Sequence, residues 1–122
     1  MEKKYTIFCD IDGTIFKYRK FDTYTTTEAD VLPEVVNKLD QWKKEGHRII
    51  LTTAIPKDLY MHTVAELAKN GVSYDEIIMG IERGPRVLIN DMDPGKPGER
   101  AIGINLERDM GFENINFKEY NL

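Results

Sequence analysis

Apolar residues fall along the chain in short runs and spaced stripes, separated by polar breaks. The first run, Tyr5-Thr6-Ile7-Phe8-Cys9, is rich in β-branched and aromatic residues and stops at Asp10, which predicts a strand buried on both faces. Residues 15–31 lose periodicity. There the basic-aromatic stretch Phe16-Lys17-Tyr18-Arg19-Lys20-Phe21 and a threonine cluster read as a long loop or flap. From Pro33, the residues Val35, Val36, Leu39 and Trp42 share one helical stripe. Pro33 suits a first turn, Glu34 the positive end of the dipole, and Gly46 the stop. Residues 48–53 predict a second buried strand. A second amphipathic helix is expected over 57–70, with Leu59, Val64, Leu67 and Ala68 inward and Asn70-Gly71 as terminator. Short strands are expected at 76–79, at 86–91 and, after the turn-rich 93–98, at 101–105. From Phe112 the pattern is mixed and predicts no element.

Strands alternating with helices predict an α/β fold: a three-layer α/β/α, Rossmann-like domain on a five-stranded, mostly parallel sheet. Ligands of such sheets sit beyond the carboxyl ends of the strands. Here those ends carry Asp10, Thr53 and Asp91. At 122 residues, 41% hydrophobic and 31% charged, the chain is expected to form one domain over 1–122, with no material for a second core. A net charge of −4 gives no global attraction to nucleic acid or anionic membrane. The single cysteine, Cys9, excludes an internal disulfide and a cysteine-based zinc site, and it fits a reducing compartment. A charged start and the lack of an apolar stretch of spanning length make the cytoplasm the expected location.

Asp10-Ile11-Asp12-Gly13-Thr14 carries the most chemical information. Two carboxylates two residues apart, just past a buried strand, can project into one small volume, and Gly13 allows the sharp turn. Keeping both ionised calls for a cation, and oxygen ligands of this kind suit Mg²⁺. This stretch resembles the first signature of the haloacid dehalogenase-like (HAD) phosphatases. The resemblance implies a hydrolase in which Asp10 attacks phosphorus to form an aspartyl-phosphate. Asp12 would protonate the leaving oxygen, later activate water, and ligate the metal through its carbonyl. Ile49-Ile50-Leu51-Thr52-Thr53-Ala54 matches the second signature, with Thr53 holding the phosphoryl group and Thr52 as the alternative. Both threonines would equally suit a strand end before a helix N-cap. Arg83 is the residue expected to neutralise the phosphate, with Arg86, Lys57 and Lys96 as alternatives. Asn90-Asp91 stands at the fourth signature, which makes Asp91 the third metal ligand beside Asp10 and Asp12.

The resemblance spans roughly residues 5–105 and implies a strand order of 5-4-1-2-3. Neither insertion point has room for a folded cap, which implies a capless enzyme with an open site or a homo-oligomer in which a neighbour supplies the lid. Lys17, Arg19 and Lys20 on the flap could then hold a leaving group. The expected substrate is a sugar phosphate or similar small metabolite. The alternatives are a nucleic-acid end phosphatase and a non-catalytic binding or regulatory module. No membrane partner is expected, and His47 and His62 lack partners at metal-ligand spacing.

Overall fold

The structure, a computed structural model, describes residues 4–122; the charged start at 1–3 lies outside the described residues. Three strands form the sheet: β1 (Thr6–Asp10), β2 (Arg48–Thr52) and β3 (Glu76–Ile78). They pair in parallel in the order β1-β2-β3, with Cys9 opposite Leu51 and Leu51 opposite Ile77. Two helices connect them, α1 (Val35–Lys44) and α2 (Tyr60–Lys69), the second entered through a 3-10 turn at Lys57–Leu59.

Side chains alternate across a strand, so the row Cys9, Leu51, Ile77 faces one side and the row Phe8, Ile50, Glu76 the other. The first row belongs to the main core, together with Val35, Leu39 and Trp42 of α1 and Leu67 of α2. Strands laid down in sequence with right-handed crossovers place both helices on one face, as this shared cluster requires. On the second row Phe8 is half exposed. α1 begins two residues after Pro33, because Glu34 takes a left-handed conformation (φ 68°) instead of a helical one. It ends as expected: Gly46, with φ 91°, donates to the Lys43 carbonyl, and His47 donates to that of Trp42.

The five-stranded, three-layer expectation is overturned. Residues 86–91 and 101–105 run without a β-ladder, so the sheet has three strands and is backed by two helices. The expected order 5-4-1-2-3 reduces to β1-β2-β3. Val87 and Ile89 are 82% and 89% exposed, so the apolar run at 86–91 is not matched by burial. Residues near 101–105 do reach the core, but only by leaning Ile104 and Leu106 against it. An apolar pattern selects for burial and leaves main-chain pairing undecided.

The tail supplies what the missing strands do not. Phe112 and Phe117 pack edge-on against each other with centroids 4.9 Å apart, and Phe117 meets the Trp42 ring at the same distance. Gly111 makes the approach possible. It has φ 62°, and a methyl group there would stand 2.5 Å from the Pro33 carbonyl oxygen, which also accepts the Phe112 amide. Gly71 has a similar φ of 69° but open space around it. Gly71→Ala should therefore cost only the left-handed strain, about 1–2 kcal/mol. Gly111→Ala adds a backbone collision, and urea unfolding should show it losing clearly more than Gly71→Ala. Equal losses would mean that the tail docks without this close contact.

Candidate active site

The carboxyl ends of β1 and β2 meet in a compact turn. The Ile11 amide extends the pairing by donating to the Thr52 carbonyl at 3.1 Å. The Ile11 carbonyl then accepts the amides of Thr14, Ile15 and Phe16 at 3.3, 2.9 and 3.1 Å, which curls the chain around it. Gly13 takes φ 85° to close the curl and donates to the Phe16 carbonyl at 2.7 Å. Ile11 and Ile15 are buried beneath it, so the loop is held from below by packing and from within by its own amides.

This turn presents the acid pair. Asp10 accepts a hydrogen bond on Oδ2 from the Thr14 hydroxyl at 3.1 Å. Asp12 accepts one on Oδ2 from the Thr53 hydroxyl at 2.6 Å. Thr53 is fully buried and its hydroxyl in turn accepts the Ile55 amide at 3.1 Å, so its direction is fixed. Thr53, not Thr52, is thus tied to the acids. Burial pushes the Asp10 carboxyl above its ordinary value; the Thr14 hydrogen bond works against that, the Asp12 charge adds to it, and Arg86 opposes it. Cys9, one residue earlier, is pushed up to about 12 by burial and then by the Asp10 charge, which leaves it an inert core thiol.

The remaining expected residues sit differently. The positive charge felt at Asp10 is that of Arg86 and not of Arg83, although both are exposed in the same loop. Asp91 is turned to solvent, with its side chain 78% exposed and 3.9 Å from Arg100. Among the described residues no group of three His, Cys, Asp or Glu side chains gathers at metal-ligating distance. The expected three-carboxylate centre is therefore not assembled: Asp10 and Asp12 are together, and Asp91 is outside. Two adjacent carboxylates, one raised by burial and by its neighbour's charge, still fit a cation that keeps several waters.

Arg19 departs furthest from the expected role. Its guanidinium faces inward, binds both Glu66 oxygens at 2.8 and 2.7 Å, and donates to the carbonyls of Tyr24 and Thr27. It also stacks on the buried Tyr24 ring, whose hydroxyl meets that of Thr63 at 2.8 Å. Arg19 anchors the flap to α2 and is not available to a ligand. The periodicity of residues 57–70 places Glu66 on a helix but cannot reveal a partner 47 positions away. Arg108 and Asp109, which no local pattern singles out, fold back on the motif loop: the Asp109 amide donates to the Gly13 carbonyl at 2.9 Å.

No family model and no curated protein matches the chain. A crystal structure of a structural-genomics target from Vibrio cholerae is similar to it, with a TM-score of 0.55 and 23% identity, over 98% of this chain and 94% of that one. That likeness concerns the fold alone. No helix among the described residues is long and apolar enough to cross a membrane.

Proposed function

We propose that the chain is a Mg²⁺-dependent phosphomonoester hydrolase of the HAD type that works through an aspartyl-phosphate on Asp10. One observation carries the reading: Asp10 and Asp12 share one turn at the strand ends, and each is oriented by its own threonine hydroxyl. The resemblance of Asp10-Ile11-Asp12-Gly13-Thr14 to the HAD phosphatase signature supports it; the three-stranded sheet adds nothing to it.

Thr14 occupies Oδ2 of Asp10 and leaves Oδ1 to attack phosphorus as the bond to the leaving oxygen breaks. Thr53 likewise holds Oδ2 of Asp12, which leaves Oδ1 free to carry a proton to the leaving oxygen. The same oxygen then takes a proton from the water that attacks the aspartyl-phosphate, which releases phosphate and restores Asp10. Arg86 offsets charge near the nucleophile. Mg²⁺, held by Asp10 and the Asp12 carbonyl, would neutralise charge on the phosphoryl oxygens. The expected substrate is a sugar phosphate or similar small metabolite, in a reducing, cytoplasmic setting suited to the single buried thiol.

Phosphate release from a generic aryl phosphate, with Mg²⁺ and with a chelator, tests the reading. Chelation should lower the rate about 10²-fold or more, and added Mg²⁺ should restore it. Activity indifferent to chelation would remove the metal from the mechanism. Silence of the wild type on aryl phosphate, sugar phosphates and phosphorylated oligonucleotides would favour the binding-module alternative.

A further inference from the structure

Arg108 lies across the motif loop, and among the described residues no carboxylate pairs with its charge. Its stem passes over Gly13, where a methyl group would stand 3.1 Å from Arg108 Cγ. Its guanidinium carbon sits 4.2 Å from the centre of the Tyr18 ring. The backbone fixes this placement on both sides. The Asp109 amide donates to the Gly13 carbonyl, and the Tyr18 amide donates to the Asp109 carboxylate at 2.7 Å. Asp109 adopts φ 65° to do so, a left-handed conformation that aspartate enters more readily than most residues other than glycine.

Some basic side chains on the surface have acidic neighbours: Lys44 meets Asp40, Arg48 meets Glu76, and Arg100 approaches Asp91. Arg108 is exposed and, among the described residues, has no carboxylate within ion-pair distance. A guanidinium stacked on an aromatic ring keeps its in-plane N–H donors directed outward, in the fork that matches a carboxylate or phosphate. Gly13, beneath the stem, is the residue next to Asp12. A cation so placed, on a chain of net charge −4, gives a doubly anionic molecule a local point of attraction beside the acid pair.

We propose that Arg108, stacked on Tyr18, forms a leaving-group subsite on the motif loop that binds a second anionic group on the substrate. The favoured substrates are then phosphomonoesters whose departing part carries a carboxylate or a further phosphate. This rests on the phosphatase reading and narrows it.

The test compares two ligands that cannot be hydrolysed, phenylphosphonate and 4-carboxyphenylphosphonate, by calorimetric titration in Mg²⁺. Wild type should prefer the carboxylated ligand by about tenfold. In Arg108→Gln the ratio of the two dissociation constants should fall to about one, and Arg108→Lys should recover part of it. A ratio unchanged in Arg108→Gln overturns the subsite, as does a parallel loss of both affinities, which would mark Arg108 as structural. Wild type that binds both phosphonates equally refutes the subsite and leaves the phosphatase reading standing. Wild type that binds neither ligand refutes both.

Discussion

Asp10→Asn is expected to fold, to melt at a higher temperature than wild type in metal-free buffer at neutral pH, and to release no phosphate. The two effects share one cause. Burial lifts the Asp10 carboxyl above its ordinary value, so the folded state holds that proton more tightly than the unfolded state does. Stability therefore falls as pH rises from the unfolded carboxylate value through the folded one, and above that window the full cost is carried. Asparagine keeps the shape and removes the charge. The melting difference should shrink to nothing at pH values below both. Turnover should drop by at least about 10⁴-fold, because the amide is no nucleophile. A variant that melts lower at neutral pH would sink the electrostatic account. A variant that still turns over would mean that another group attacks phosphorus.

Arg19→Ala should be the most destabilising single change at the flap. The side chain is 8% exposed, and its guanidinium carries both oxygens of Glu66 and holds two carbonyls of the flap itself. Removing it leaves the largely buried Glu66 carboxylate with only His62, 3.5 Å away, as a possible counter-charge, and breaking such a pair usually costs about 3–5 kcal/mol. A double-mutant cycle with Glu66→Ala isolates the pair, and replacing both residues by apolar ones of similar volume should recover much of the loss. The loss should be accompanied by protease cleavage within 17–31, because the flap would lose its attachment to α2. A cost below about 1 kcal/mol would show a solvated pair.

These two sites differ in how far they could be read in advance. The pairing of Asp10 and Asp12 was legible because its signals are local: a strand end, a glycine turn and two acids within three positions. Strands β1 to β3 and both helices were legible for the same reason, since period and punctuation repeat within each element. What failed depends on distance along the chain. Val87 and Ile89 look like buried strand residues in sequence, yet only a neighbouring strand could have made them so. Arg19 looks like a ligand-binding residue until Glu66 is brought to it. Arg83 is the preferred arginine in sequence, yet the loop geometry brings the charge of Arg86 to bear on Asp10. Asp91 follows an apolar run just as Asp10 does, but it follows no paired strand, so nothing carries it to the other acids.

The hydrogen bond from Asp109 to Gly13 spans 96 positions, which gives the turn that holds the acid pair a history as well as a shape. On the ribosome the acids are polymerised long before the residues that brace them, by about 5–20 s at ordinary elongation rates. During that interval Gly13 lacks its cover, Trp42 lacks its aromatic neighbours, and apolar surface on α1 stands open to chaperones or to other nascent chains. The birth of a competent turn is thus timed by residues 108–117. Slowing translation just before them would lengthen the vulnerable period without altering the finished protein.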